Sequence, residues 1–125
     1  MTESEIYAVN LHMARLTGWP VYPLSVGFRT GAPQIREEKD NMLRYINQFF
    51  SDKRWNPWED REQCFIVMDR LIETGRIHYY ELSSFQKGEW GCQISTEPDK
   101  YNPHEDGDTP AQAMCRAFVK LEVAT

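Results

Sequence analysis

The sequence predicts a single α+β domain in which a short antiparallel sheet is flanked by three or four helices. Apolar residues recur at helical spacing near both ends of the chain, and residues 89–96 alternate between apolar and polar side chains, as in a half-buried strand. With 125 residues the chain can bury one sizeable hydrophobic core. We therefore expect one sandwich-like domain spanning residues 1–125.

The first helix is predicted over about residues 3–17. Its inward face consists of apolar residues spaced three or four positions apart, namely Ile6, Val9, Met13 and Leu16. Gly18 follows this pattern directly and favours helix termination, because glycine readily adopts the left-handed conformation found after a helix C-terminus. Residues 21–28 are rich in β-favouring side chains but contain Pro23 and Gly27, so they predict only a short edge strand.

A second helix is predicted over about residues 35–50. Its apolar positions fall near helical spacing: Ile35, Met42, Leu43, Ile46, Phe49 and Phe50. The mixed charges of residues 36–40 are interpreted as its solvated side.

A third helix is predicted over about residues 57–74. Asn56 is a favourable N-cap, Pro57 suits the first helical position, and Glu59 completes a pair that resembles a capping box. The inward side chains are expected to be Phe65, Met68, Leu71 and Ile72. Gly75 marks the predicted end of this helix.

A β-hairpin is predicted from residues 77–82 and 89–96, joined by residues 83–88. The last helix is predicted over about residues 110–122 and begins with Thr109 as N-cap and Pro110 at the first position. Its apolar stripe is Met114, Ala117, Phe118 and Leu121. Three small residues are expected to let this helix lie close to the sheet: Ala111, Ala113 and Ala117.

Four motifs scattered along the chain form a recognisable combination. They are Leu16-Thr17-Gly18-Trp19, Trp55-Asn56-Pro57, Trp90-Gly91-Cys92, and Gly107-Asp108-Thr109-Pro110 followed by Ala113-Met114-Cys115-Arg116-Ala117. This combination resembles the small phage and prophage proteins grouped as the phage ABA sandwich domain. The resemblance implies a compact layered α/β fold and a phage or prophage origin, but no reaction. Residues 24–53 depart from the pattern, and we interpret them as a variable, insert-like segment.

Charge and composition narrow the classes of function. The net charge is −5, which repels a phosphate backbone, and the sequence shows no basic stripe that could bind one. Direct sequence-specific binding to nucleic acid is therefore disfavoured. The sequence has neither a leader pattern nor an apolar run long enough to cross a bilayer. The three cysteines are widely spaced and fit a reducing compartment, so we expect a cytoplasmic protein, and the resemblance implies that the cytoplasm is that of a bacterial host.

The sequence contains no motif that indicates catalysis or a cofactor. The three histidines are too scattered to form a metal site, and the acidic turn at residues 104–108 lacks the ligand pattern of a calcium loop. Phosphate-binding glycine loops and nucleophile motifs are missing as well. The cysteines at mid-helix and strand positions are interpreted as buried, inert thiols. We therefore expect a protein that is not an enzyme and that uses neither a cofactor nor a metal.

A surface formed by aromatic and acidic side chains is the predicted interaction site. Tyrosine and tryptophan combine an apolar ring with a polar group, which suits protein interfaces. The expected partner-binding residues are Tyr80, Phe85, Tyr101, Glu105 and Asp106. With the resemblance, they lead us to expect a phage accessory protein that binds and modulates or inhibits a host protein, such as a defence component.

The alternative function is the sequestration of a nucleotide-like signal between aromatic rings, in an oligomer where two hairpins form one pocket. Such a ligand needs cationic side chains near the rings. The candidate residues for this alternative are Arg76, Lys87, Trp90 and Arg116.

Overall fold

The computed structural model describes residues 2–19, 21–22, 34–39, 42–45, 55–98, 100–102 and 104–122. Within these residues the helices are α1 (Glu3–Leu16), α2 (Arg61–Glu73) and α3 (Pro110–Phe118). The strands are β1 (Val21–Tyr22), β2 (Gln34–Lys39), β3 (Met42–Tyr45), β4 (Tyr79–Gln86), β5 (Glu89–Ser95) and β6 (Glu105–Gly107). They form antiparallel sheets in the orders β1-β2-β3 and β4-β5-β6, which confirms the α+β class.

The segment predicted as a helix over residues 35–50 instead contains β2 and β3, which pair from Arg36 with Tyr45 to Lys39 with Met42. The helical interpretation was wrong because Ile35 and Met42 are separated by polar residues alone, which leaves the first two turns without an apolar stripe. The dipeptide Asp40-Asn41 between the strands has the composition that short hairpin turns favour, and it was the missed signal. Residues 46–50 lie outside the described part.

The predicted edge strand over residues 21–28 is confirmed for Val21–Tyr22, which pairs with β2. Residues 23–28 lie outside the described part of the chain. The interpretation of residues 24–53 as an insert stays a prediction.

The predicted hairpin is confirmed, with β4 beginning at Tyr79 rather than near residue 77 and β5 ending at Ser95. β4 continues to Gln86, so only Lys87 and Gly88 connect it to β5. Gly88 adopts a φ of 82°, which glycine tolerates and which a two-residue connection favours. The register shifts between Ser84 and Gln86, so β4 contains a bulge shortly before the turn.

Helix α1 begins at the predicted position, and α3 begins where its capping residues predicted. In α1 the Oγ1 atom of Thr2 accepts from the Glu5 amide, and Gly18 follows the helix with a φ of 76°. In α3 the Oγ1 atom of Thr109 accepts from the Gln112 amide, and Pro110 takes the first helical position. α3 ends at Phe118 rather than near residue 122.

Helix α2 begins at Arg61 and not at Pro57, with Asp60 as its N-cap. Residues 57–59 form a turn in which the amides of Glu59 and Asp60 both donate to the Asn56 carbonyl. The predicted N-cap is wrong because the side-chain carbonyl of Asn56 accepts a hydrogen bond from α1 instead.

The hydrophobic core lies between the β4-β5-β6 sheet and the helices. α3 packs on this sheet and also contacts α1 and α2. The largest fully buried side chains of the core include Trp55, Phe118, Met13 and Leu71. The predicted inward residue Ile72 is 46% exposed, because the buried stripe of α2 passes through Val67, Met68 and Leu71.

Small residues allow close contact between β6 and α3. A Cβ atom at Gly107 would lie 2.5 Å from the Ala113 backbone nitrogen, so the two backbones approach too closely for a side chain to fit. Ala111, Ala113 and Ala117 are buried. The close approach at Gly107 and Ala113 agrees with the predicted contact of this helix with the sheet, and the contribution of Ala111 and Ala117 stays a prediction.

A buried asparagine connects α1 to the segment before α2. Asn10 is 5% exposed, and its Nδ2 atom donates to the Oδ1 atom of Asn56 at 2.9 Å. Its Oδ1 atom accepts from the Trp58 amide at 3.0 Å, and its backbone carbonyl accepts from Nε1 of Trp55 at 2.8 Å. This cluster therefore provides hydrogen-bond partners for the indole N–H of Trp55 and for the backbone N–H of Trp58.

Replacing Asn10 with alanine is expected to lower the free energy of unfolding by about 2–4 kcal/mol. The change leaves the buried backbone amide of Trp58 and the side-chain carbonyl of Asn56 without their Asn10 partners. Chemical denaturation followed by circular dichroism measures the change. The control is Arg15→Ala, at an exposed position of the same helix, where a change of roughly 0.5 kcal/mol or less is expected. Equal losses in the two variants would contradict the role of Asn10.

Replacing Gly107 with alanine is expected to cost about 2–3 kcal/mol of stability, because its new methyl group meets the rigid α3 backbone. Gly91→Ala is the matched control. Its methyl group would meet the ring ends of His104 and Phe85, which can rotate away, so its loss should stay below about 1 kcal/mol. A thermal melt in which Gly107→Ala is as stable as Gly91→Ala would refute the proposed close contact.

Candidate functional site

One face of the β4-β5-β6 sheet carries exposed aromatic rings. Tyr80 and Leu82 pack against the core, and the alternation of a strand therefore directs Tyr79 and Glu81 to the opposite face. We call this the outer face and define its aromatic residues as Tyr79, Phe85 and Tyr101. Their exposed fractions are 43%, 60% and 58%, respectively.

The rings of the outer face are arranged in two edge-to-face pairs. Tyr79 and Tyr101 have ring centroids 5.9 Å apart and an angle of 87° between their planes. Phe85 and His104 have centroids 5.4 Å apart at 65°. Gly91 makes room for the second pair, because a Cβ atom there would lie 2.0 Å from the His104 ring.

The chain that connects β5 to β6 is tied to the sheet by hydrogen bonds. The Asn102 amide donates to the Ile94 carbonyl at 2.9 Å, and Nε2 of Gln93 donates to the Asn102 carbonyl at 3.1 Å. The Ser95 hydroxyl contacts the carbonyls of Glu97 and Lys100. These contacts fix the position of Tyr101 relative to Tyr79.

The structure changes one member of the predicted aromatic set. Phe85 and Tyr101 are exposed, as expected. Tyr80 is half-buried against the core, and its neighbour Tyr79 takes its place on the outer face. The signal that identifies Tyr79 is the strand register, since Tyr80 pairs with the core residue Ile94 and so shares its face.

A cleft of about 310 Å³ lies where the hairpin turn, β6 and α3 meet, and we call it the hairpin cleft. Its lining residues are Phe85, Gly88, Glu89, Trp90, Asp106, Gly107, Asp108 and Arg116. It therefore brings together two predicted partner-binding residues, Phe85 and Asp106, and two residues predicted for the alternative ligand, Trp90 and Arg116.

The remaining predicted site residues do not line the hairpin cleft. Glu105 is 20% exposed and forms an ion pair with Lys120. Arg76 donates to the Glu122 carbonyl, and Lys87 is exposed in the hairpin turn. The cations predicted for a phosphate group are thus not collected around the rings.

The charges of the hairpin cleft are predominantly negative. Its lining includes three acidic residues, Glu89, Asp106 and Asp108, and one basic residue, Arg116, and the Asp106 carboxylate lies 3.4 Å from Nδ1 of His104. Nη1 of Arg116 donates to the Asp106 backbone carbonyl at 2.9 Å, and its guanidinium carbon lies 5.6 Å from the centroid of the Trp58 ring. This arrangement suits a cationic group better than an anion.

The three cysteines are buried together in the core. The sulfur atoms of Cys64 and Cys115 are 3.7 Å apart, and all three side chains have no exposed surface. Burial, with a smaller contribution from Cys64, raises the pKa of Cys92 to about 12, and burial also raises the pKa of Cys115 well above its usual value. The thiols of Cys92 and Cys115 are therefore held in their neutral form, which is unfavourable for a nucleophile.

Two further findings concern the described residues only. They contain no group of three or more His, Cys, Asp or Glu side chains placed to hold a metal ion. None of the helices in this part of the chain is long and apolar enough to cross a membrane.

The folded protein is expected to resist alkylation by iodoacetamide at pH 8, because its thiols are buried and the raised pKa of Cys92 and Cys115 disfavours the thiolate. The same protein in denaturant should be alkylated at Cys64, Cys92 and Cys115, which mass spectrometry counts. Rapid labelling of a single cysteine in the folded protein would contradict the buried, neutral state assigned to it.

Comparison of the chain with protein-family models, curated proteins and solved structures returned no match. The resemblance to the phage ABA sandwich group therefore stays a prediction. The geometry of the outer face and of the hairpin cleft is the basis on which a function can be argued.

Proposed function

We propose that this protein is a non-enzymatic binding protein that attaches to another protein through its outer face and thereby modulates it. The observation that supports this most directly is the exposure of Tyr79, Phe85 and Tyr101 on the sheet face opposite the core. Aromatic side chains held in fixed positions supply large contact area at a low entropic cost, and they are enriched at the centres of protein interfaces.

The charge of the protein favours a basic partner. The net charge is −5, and the exposed Glu81 lies on the same strand as Tyr79. Complementary charge speeds the encounter of two proteins and suppresses binding of partners with the wrong sign. The proposal that the partner is a bacterial host protein, such as a defence component, depends on the resemblance to phage proteins.

The chemistry of the candidate residues supports a binding role over catalysis. The three cysteines are fully buried, and the residues that converge in the hairpin cleft are aromatic residues, charged residues and glycines, without an aligned nucleophile and base among them. Catalysis by acyl or phosphoryl transfer would need such an arrangement or a cradle of donors.

The sequestration of a nucleotide-like ligand is the second candidate, and the hairpin cleft is the observation that favours it. Its volume of about 310 Å³ lies at the lower end of ligand sites, and Trp90 supplies a ring for stacking. The carboxylates of the cleft oppose a phosphate group, so protein binding is the better-supported function.

The test of the proposed function begins by isolating a partner with the wild-type protein and repeating the binding measurement with both proteins purified. The double variant Tyr79→Ser with Tyr101→Ser is expected to weaken the complex by at least about 30-fold, as the loss of interface anchors does. The control is Ile72→Ser, which removes an exposed apolar side chain from α2 and should change the affinity less than about threefold.

An equal effect of the two changes on affinity would contradict binding through the outer face. A thermal-shift screen with nucleotides and cyclic dinucleotides discriminates the second candidate. Stabilisation that disappears in Arg116→Ala would favour the sequestration of a nucleotide-like signal over the proposed function.

A further inference from the structure

We propose that the hairpin cleft binds the guanidinium group of an arginine side chain that the partner presents. This inference rests on the proposed function and gives it a specific recognition element. The cleft lies at the hairpin end of the sheet and shares only Phe85 with the aromatic residues of the outer face.

The size of the hairpin cleft suits one extended side chain. About 310 Å³ is at the small end of the range for drug-sized ligands, roughly 300–1,000 Å³. The cleft is also lined by Gly107 and by Gly88, and at Gly88 an added Cβ atom would meet nothing within 4 Å, so this side of the cleft is open. A single side chain from a neighbouring protein therefore matches its dimensions.

The charge of the cleft selects a cation. Three acidic residues, Glu89, Asp106 and Asp108, line the cleft beside one basic residue, Arg116, so the lining carries an excess of negative charge. Arg116 reduces this excess incompletely, because its Nη1 atom donates to a backbone carbonyl and its guanidinium lies over the Trp58 ring. The Asp106 carboxylate lies 3.4 Å from Nδ1 of His104, and its side chain stays 81% exposed, so it is still accessible to a bound group.

The aromatic walls favour guanidinium over ammonium. Phe85 and Trp90 both line the cleft, and a planar guanidinium stacks on an aromatic ring while it donates two parallel hydrogen bonds to a carboxylate. The ammonium of lysine is a strongly hydrated point charge that lacks this geometry. The combination of rings and carboxylates in one small cleft therefore specifies arginine.

The experiment is a titration of the full-length, isotope-labelled protein with N-acetyl-arginine amide, followed by nuclear magnetic resonance. We expect saturable shifts at the Trp90 indole and at the amides of Gly107 and Asp108. N-acetyl-citrulline amide has the same shape without the charge and should produce less than a tenth of these shifts. N-acetyl-lysine amide should bind at least threefold more weakly than the arginine probe.

The double variant Asp106→Asn with Asp108→Asn is expected to weaken binding of the arginine probe at least fivefold. Its unfolding midpoint verifies that the fold is intact, and Trp90→Leu provides a second variant that removes a wall of the cleft and should also weaken binding. The matched control is Glu81→Gln, an exposed carboxylate of β4 that does not line the cleft, for which no change in probe affinity is expected.

The absence of saturable shifts, equal shifts with the citrulline probe, or equal weakening by Glu81→Gln would overturn the inference. Equal binding of the lysine probe would overturn its specificity for guanidinium. Because Tyr79 and Tyr101 do not line the cleft, their variants test the outer face separately. If the arginine probe binds the cleft but these variants leave the partner complex intact, the outer-face proposal fails and the cleft inference stands.

Discussion

The side chain of Asn10 is the constraint on which the arrangement of the helices depends. It lies on α1, yet its hydrogen bonds all reach the segment that precedes α2. Trp55 has no exposed surface, and its indole Nε1 donates a hydrogen bond to the backbone carbonyl of Asn10. A buried polar group is costly unless it is paired, so this cluster permits one relative position of α1 and α2 and disfavours others. α3 contacts both helices and also packs on the β4-β5-β6 sheet, so the positions of α1 and α2 relate to the position of the sheet through α3.

Local signals in the sequence were sufficient where a short range of residues decides the structure. The caps at Thr109 and Gly18 act on neighbouring residues only, and both are confirmed. The strand predicted over residues 89–96 is confirmed at Glu89–Ser95, although Gly91 and Ser95 on its predicted polar face are buried too. The start of α2 failed because Asn56 is a good N-cap by composition, but its side-chain oxygen is used by a residue distant in the chain. Helical spacing over residues 35–50 failed because the polar residues between Ile35 and Met42 match a hairpin as well as a helix.

The sequence predicted most of the residues of the candidate site, but it did not predict how they are arranged in space. Residue type identified Phe85, Tyr101 and Trp90 as rings with a role beyond the core, and the structure places Phe85 and Tyr101 on the surface. Choosing Tyr79 over Tyr80 requires the register with β5, which depends on where the hairpin turns. The hairpin cleft lies where β6 approaches α3 closely at Gly107, a contact that neither segment reveals alone.

The bulge near the end of β4 has a consequence for solubility. β4 lies at the edge of its sheet, and the outer side of an edge strand presents backbone N–H and C=O groups that a strand of another molecule can pair with. β4 also carries exposed aromatic side chains, which increase the tendency to associate. The register shift between Ser84 and Gln86 interrupts that row of donors and acceptors and increases the local twist. An edge interrupted in this way is a poor template for a second strand, so the protein can display its rings while its own copies are discouraged from aggregating through them.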